Sequence, residues 1–258
     1  MAFCVFNNTH YMNVTLIDDE NLYCSSPRLP NNERSLPAGD MIYEVKVTVD
    51  NKSTYTKDHK NFGYYFDSEL SAVEEADNGP VSGGTQSLLF GKGFNHPNVC
   101  NLKVRYGGIE VTPKMLNTTT LVTSSPRVNL PGSVVLATSG NGQNYANDIT
   151  LHFRDKENTF TYTQDILANY IHPQEGPNSG KTKVLVRAIG LAQFKNDDGS
   201  VNQAKPLYYR LLNENGSQVS NITAVKDIGN DQFTWYTPPC PADSKKLILQ
   251  ISWNKQNW

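Results

Sequence analysis

Apolar and polar residues alternate with period two along several stretches of this chain, the spacing of strands that bury one face and leave the other to water. Tyr43, Val45, Val47 and Val49 fall on one side of such a stretch while Glu44, Lys46 and Thr48 fall on the other. Leu102, Val104 and Tyr106 alternate in the same way with Lys103 and Arg105, and Ile149, Leu151 and Phe153 with Thr150, His152 and Arg154. Between them stand turn formers: Asp50-Asn51-Lys52, Gly140-Asn141-Gly142 and Asn196-Asp197-Asp198-Gly199. Such residues tolerate tight or positive-φ backbone. The pattern predicts antiparallel β-sandwiches. Only Asp67 to Ala76 is helix-like, and its ten residues fit equally a connector that runs into an edge strand.

The pattern repeats with a period near 100 residues. Ser25-Ser26-Pro27-Arg28 recurs as Ser124-Ser125-Pro126-Arg127, and Asn61-Phe62-Gly63-Tyr64-Tyr65 corresponds to Thr159-Phe160-Thr161-Tyr162-Thr163. Gly79-Pro80-Val81-Ser82-Gly83-Gly84-Thr85 recurs as Gly176-Pro177-Asn178-Ser179-Gly180-Lys181-Thr182. A weaker third counterpart of the Ser-Ser-Pro-Arg motif is Tyr236-Thr237-Pro238-Pro239. Motif order and spacing divide the chain into units at 1–66, 67–166 and 167–258.

Composition narrows the class. With 38% hydrophobic and 19% charged residues over 258 positions, and no apolar run near 18 residues, neither a disordered tail nor a membrane-inserted segment is expected. The 28 Asn, 18 Gly, 14 Pro and 13 Tyr suit short strands and many turns rather than a helical bundle. A net charge of −2 lacks the basic footprint of a nucleic-acid binder, so no nucleic-acid partner is expected.

The motifs resemble those of IPT/TIG domains, immunoglobulin-like units of plexins and transcription factors. Ile171 to Val186 is similar to that family's opening pattern: an apolar-x-Pro strand, a Gly-Pro turn, then Gly-Gly-Thr into the second strand. Gly79 to Phe94 repeats it and ends in Gly91-Lys92-Gly93-Phe94. Cys24 to Pro27 with Phe62 to Tyr64, and Thr123 to Pro126 with Phe160 to Tyr162, match the later marks. The third unit departs: Gly180-Lys181 replaces Gly-Gly, Ala188 to Phe194 matches the glycine turn loosely, and no Phe-x-Tyr follows Ile251 to Trp258. The resemblance therefore implies an all-β chain of three tandem immunoglobulin-like sandwiches, the first and last incomplete. The first lacks its opening strands and the last its closing strand. Open sandwich edges leave backbone groups unpaired and call for partners. Either a longer tandem array or strand addition from a neighbouring copy in a head-to-tail polymer would supply them.

Four cysteines, at 4, 24, 100 and 240, match no paired zinc spacing. Cys4 and Cys24 flank one strand-loop-strand, and the repeat places Val104 and Thr123 opposite them. Their joint absence from the second unit suggests a disulfide, against two buried free thiols. The plexin-like branch of the family commonly has a bridge at this place, which would imply an oxidising, extracellular compartment. Cys100 and Cys240 have no aligned partner. Six N-x-[S/T] sequons start at Asn7, Asn13, Asn51, Asn117, Asn215 and Asn221, several in turns, and several are expected to carry N-linked glycans. Met1 to Phe6 is too short for a secretory leader, which fits a mid-chain segment.

Other chemistry is weakly encoded. Gly176 to Thr182 invites a phosphate-loop reading, but three residues rather than four separate its glycines, and Val184-Leu185-Val186 continues as a strand. His10, His59, His96, His152 and His172 are scattered, with no metal or nucleophile–base spacing. Asp18-Asp19-Glu20, Glu74-Glu75 and Asp197-Asp198 lack the spaced oxygen ligands of a calcium loop and read as solvated turns. Trp235, Trp253 and Trp258 suit either a sugar-stacking platform or a sandwich core; Trp253 is assigned to the core and Trp258 is left open. No catalytic residue, metal or cofactor is expected. The sequence points to an extracellular, glycosylated structural or adhesive protein that works mechanically, its units joined by short connectors at Asp67 to Asn78 and Asp165 to Tyr170. Its partners would be further copies, head-to-tail or lateral, or a protein ligand. The resemblance implies three alternatives: a plexin-like or growth-factor-receptor-like ectodomain, an accessory module of a carbohydrate-active enzyme, and, more distantly, a Rel-like transcription factor.

Overall fold

The computed structural model describes residues 2–29, 41–146, 158–191, 206–225, 228–229, 231–241 and 244–258. Among them every regular element is a β-strand, in mainly antiparallel sheets of immunoglobulin-like sandwich type. The expected strand at Ile149 to Phe153 and the turn at Asn196 to Gly199 lie outside the described residues. No helix among the described residues is long and apolar enough to cross a membrane. The chain forms two compact units.

The first unit comprises Met1–Ser68, Gly93–Leu102 and Ser139–Asn144. Its strands are β1 (Phe3–Phe6), β2 (His10–Leu16), β3 (Leu22–Cys24), β4 (Ile42–Thr48) and β5 (Lys60–Gly63), in sheet order β3-β2-β1-β4-β5. The first half of β2 pairs with β1 and its second half with β3, which brings β3 over β1. There a disulfide joins Cys4 to Cys24, with Cα atoms 6.2 Å apart. Cys4, Phe6 and Tyr43 form the core, and Phe6, Phe62, Tyr64 and Tyr43 continue it edge to face, at 5.7 Å, 5.1 Å and 5.1 Å between successive centroids. The alternation along β4 ends one residue earlier than its sequence suggests. Val49 is 69% exposed, because Thr48 is buried and donates its hydroxyl to Asp50, which starts the turn.

The second unit comprises Glu69–Lys92, Lys103–Thr138 and Tyr145–Trp258. It opens with β6 (Glu69–Glu74), β7 (Asn78–Pro80), β8 (Gln86–Lys92), β9 (Lys103–Tyr106), β10 (Ile109–Val111), β11 (Lys114–Asn117), β12 (Thr120–Ser124), β13 (Gly132–Ser139) and β14 (Thr159–Thr163). One sheet has the order β11-β12-β8-β6 and the other β10-β9-β13-β14-β7. Between them Leu89, Val104, Tyr106, Leu121, Leu136, Phe160 and Tyr162 are almost wholly buried. The closing strand β14 is antiparallel to β13 on one side and parallel to β7 on the other. It delivers Phe160 and Tyr162 to the core, where Phe160 meets Tyr106 at 5.2 Å and Tyr162 at 5.0 Å. The stretch at Asp67 to Ala76 is therefore no helix; it contains β6, an edge strand paired with β8.

The remaining strands are β15 (Leu167–His172), β16 (Lys183–Ile189), β17 (Tyr208–Asn213), β18 (Thr223–Ala224), β19 (Ile228–Gly229), β20 (Gln232–Tyr236) and β21 (Leu247–Ser252). They form sheets β15-β16-β20-β19 and β18-β17-β21 around Val184, Val186, Leu191, Leu207, Leu211, Phe233, Trp235 and Trp253. The segments at Asp67 to Asn78 and Asp165 to Tyr170 are thus largely strand: β6 and β15 belong to the sandwiches they open. β21 occupies the place that β13 holds in the preceding sandwich, and no counterpart of β14 lies beside it among the described residues.

Candidate functional site

Each sandwich carries the same small polar turn after its equivalent strand, and the side chains of these turns make dense polar networks. After β21, Asn254 Oδ1 accepts hydrogen bonds from Ser252 Oγ (3.2 Å), Gln256 N (3.0 Å) and Asn257 N (2.9 Å), while its Nδ2 donates to Asn257 Oδ1 (2.7 Å). After β13, Asn141 Oδ1 accepts from Ser139 Oγ (3.1 Å), Gln143 N (3.0 Å) and Asn144 N (2.9 Å), and its Nδ2 donates to Asn144 Oδ1 (3.0 Å). After β4, Asp50 Oδ1 accepts from Thr48 Oγ1 (3.0 Å), Ser53 N (3.2 Å) and Thr54 N (2.8 Å), and Oδ2 accepts from Thr54 Oγ1 (2.6 Å). These are Asx turns: a short side chain satisfies backbone N–H groups that the ended ladder leaves free. The Asp50 turn is one residue longer. Asn51 and Lys52 both have positive φ, and Lys52 lies over the rings of Tyr11 and Phe3, at 4.1 Å and 5.3 Å.

A second duplicated element receives such a turn. Gly83 N donates to Pro80 O (2.9 Å), Gly84 N to Ser125 O (2.8 Å) and Thr85 N to Ser125 Oγ (3.1 Å). In the next sandwich Gly180 N donates to Pro177 O (2.9 Å), Lys181 N to Thr237 O (2.8 Å) and Thr182 N to Thr237 Oγ1 (3.1 Å). Both loops hold two successive residues at positive φ, 79° and 83° in the first, 74° and 64° in the second. The repeated Ser-Ser-Pro-Arg and Gly-Pro motifs thus build the two halves of one seat.

The first seat is filled from within the second unit. Asn254 Nδ2 donates to Thr85 Oγ1 (3.1 Å), and Thr85 Oγ1 donates to Asn257 Oδ1 (2.6 Å). Asn257 Nδ2 reaches Gly83 O (3.3 Å), and the Gln256 amide brackets the Gln86 backbone at 2.8 Å and 3.0 Å. Ser82 N also donates to Asp165 Oδ1 (3.3 Å). Under the seated turn Thr85 is 0% exposed, whereas its counterpart Thr182 is only half-buried. The arrangement is a polar clamp between successive sandwiches.

Beside the second seat lies a cleft of about 680 Å³, lined by Gly176 and Pro177 on one side and Leu247 and Leu249 on the other, with Val184 and Trp235 among its walls. It lies where the preceding sandwich holds β14. Trp235 Nε1 is buried there with no acceptor.

All six sequon asparagines are exposed. Asn7 and Asn51 stand at positive φ in turns, and Asn117 Oδ1 accepts from Thr119 N (2.9 Å) and Thr119 Oγ1 (3.0 Å). Cys100 and Cys240 are free, the latter donating to Ser244 O (3.2 Å). The described histidines occupy separate places: His10 and His172 stack on Tyr43 and Tyr170, His59 approaches Glu44, and His96 accepts from Asn98 N. His152, Asp197 and Asp198 lie outside the described residues. No metal-ligating cluster is present among the described residues. Asp18 caps its own turn, accepting from Glu20 N and Asn21 N, and the hydrogen bond from the Asn21 side chain does most to lower its pKa. Gly176 to Thr182 ends in β16 rather than a helix, so no helix N-terminus backs a phosphate. Trp253 is buried, and Trp258 lies against Arg210 at 4.1 Å.

The sequence marked both seat loops as repeated motifs and the Asp50 and Asn141 segments as turn formers, and missed only the turn at Asn254. Leu136 to Asn144 and Leu249 to Asn257 share Leu, Ser, Asn, Gln and Asn in register, a signal that was available.

No family model matches the chain, and no curated protein matches it. Among solved structures, a plexin A4 extracellular region is similar over 82% of this chain and 17% of its own, with a TM-score of 0.41 and 14% identity. Another plexin A4 extracellular structure aligns over 98% of this chain and 29% of its own, with a TM-score of 0.38 and 9% identity. A Bacteroides ovatus mixed-linkage glucan utilization protein, solved with a mixed-linkage heptasaccharide, aligns at a TM-score of 0.27 and 14% identity, over 93% of this chain and 51% of its own.

Proposed function

We propose that this chain is an extracellular, N-glycosylated structural or adhesive element built of tandem IPT/TIG-type sandwiches, divided near 1–66, 67–166 and 167–258, whose work is to hold sandwich to sandwich rather than to transform a substrate. The clamp between the Asn254 turn and the Gly83–Gln86 loop carries this reading: the duplicated polar groups are spent on joining modules. The disulfide between Cys4 and Cys24 supports an oxidising compartment. The exposure of all six sequons supports glycosylation. Partners of this kind of protein are further copies and N-linked glycans.

Glycopeptide mass spectrometry on the native protein, with differential alkylation of its cysteines, tests the reading. We expect glycans on several of Asn7, Asn13, Asn51, Asn117, Asn215 and Asn221, and protection of Cys4 and Cys24 from alkylation. Bare sequons together with reduced Cys4 and Cys24 would place the chain in a reducing compartment and sink the proposal.

A further inference from the structure

The second seat, at Gly180 to Lys183 with Thr237, repeats the backbone geometry of the first, yet no turn covers it among the described residues. The Asp50 turn, conversely, is exposed from Val49 to Lys60 and touches no such loop among the described residues. We infer that the Asp50 turn of one copy docks on the Gly180–Lys183 seat of a second copy, so that the chain associates head-to-tail. This rests on the structural reading above and names its contact.

The substitutions on the two sides match one another. In the filled clamp the neutral amide of Asn254 faces Thr85 and Asn257 lies above Gly84, where a Cβ would stand 3.7 Å from Asn257 Nδ2. In the open pair, Asp50 replaces Asn254, and Thr54 replaces Asn257, as the hydrogen bond from Thr54 Oγ1 to Asp50 Oδ2 shows. Across from them Lys181 replaces Gly84 and Lys183 replaces Gln86. The facing side chains of the turn become smaller, with a carboxylate in place of an amide, where those of the seat become larger and cationic. The Asp50 carboxylate is ionised at neutral pH, and hydrogen bonds, first from Thr54, lower its pKa further. Thr182 Oγ1 would donate to Asp50 Oδ2, the reverse of the bond that Asn254 Nδ2 donates to Thr85 Oγ1 in the clamp. The extra residue of the longer turn, Lys52, is drawn off over Tyr11 and Phe3 and leaves Ser53 to face Lys183. Asn51 shares its φ, 59°, with Lys255 at 60°. Lys255 lies over Tyr208 of its own sandwich, so a glycan on Asn51 would point away from the contact. Because turn and seat are different surfaces, the contact is heterologous: each bound copy still offers a free turn or a free seat to the next, in a ring or an open series.

Sedimentation velocity on the full chain tests this, with a first set of variants chosen to keep both loops folded and a second that disables one end at a time. Wild type is expected to form a concentration-dependent series of oligomers at low salt, weakened at least about tenfold by 0.5 M NaCl, as expected for exposed charge pairs. Asp50→Asn keeps the Asx turn, and Lys181→Gly with Lys183→Gln installs the residues of the filled seat; either change should weaken association about tenfold or more. A chain with Asp50→Lys retains only its seat, and one with Lys181→Glu and Lys183→Glu retains only its turn. Each alone should be monomeric, and their mixture should stop at a one-to-one dimer. A wild type that stays monomeric at several hundred micromolar, single-end variants that still self-associate, or a mixture that fails to dimerise would each overturn the contact. None of these results would affect the glycans or the disulfide, so failure here is distinct from failure of the broader reading.

Discussion

Adding one methyl group at Gly79 and at Gly176, two glycines at the same place in successive sandwiches, should have unequal consequences. A Cβ on Gly79 meets the Thr85 hydroxyl and comes within 2.7 Å of Phe160 Cζ. Neither can yield: Thr85 is fixed by Asn254 and Asn257, and Phe160 is 0% exposed between Tyr106 and Tyr162. The three atoms nearest a Cβ on Gly176 all belong to Thr182, whose hydroxyl has no such clamp above it and can rotate. Overpacking a closed core costs roughly 1–3 kcal/mol, and Gly→Ala returns about 0.4–1 kcal/mol by restricting the unfolded chain. Gly79→Ala should therefore lose about 1.5 kcal/mol, and Gly176→Ala should be neutral or gain up to about 1 kcal/mol. For a sandwich near 100 residues, about 1 kcal/mol moves Tm by roughly 4–8 °C, so calorimetry on the full chain should show a drop of about 10 °C for Gly79→Ala alone. Phe160→Leu, which shortens the ring that stands in the way, should cost less on the Gly79→Ala background than in wild type. Equal shifts at the two glycines, or additive effects of Gly79→Ala and Phe160→Leu, would refute the assignment of the cleft as the place β14 fills next door.

Two further outcomes are expected. Hydrogen bonds from Thr54 first, and then Thr48, lower the Asp50 pKa to about 2; the support this carboxylate lends its turn is thus complete above the ordinary value of 3.8 and disappears as pH falls through about 2. The Ser53 and Thr54 amide resonances should titrate with a midpoint near 2 and lose that titration in Asp50→Asn; a midpoint near 3.8 would contradict the geometry. Replacing Cys4 and Cys24 together by Ala should cost about 3 kcal/mol in urea unfolding of the first unit, the value expected for closing a loop of roughly 20 residues. A loss under about 1 kcal/mol would show that the packing of β3 over β1 does not depend on the bridge.

The amino-acid sequence by itself determined the β class and the repeated parts. Alternation such as Val104 and Tyr106 against Lys103 and Arg105 is a local property with a period of two, and it survives into the buried face of β9. Gly-Pro, Gly-Gly-Thr and Ser-Ser-Pro loops were legible for a similar reason, because positive φ and tight turns demand particular residues at fixed short spacing. For want of alternation the Glu-containing run at β6 left helix and edge strand equally open; pairing with β8, a segment further along the chain, decides for the strand. What only the tertiary structure decided is which polar groups meet. Thr85 is buried by Asn257, 172 residues away, and the Asn254 turn has no hydrophobic period to announce it. A hydrogen-bonded clamp depends on the positions of single atoms, and those positions exist only once two sandwiches have folded and come together.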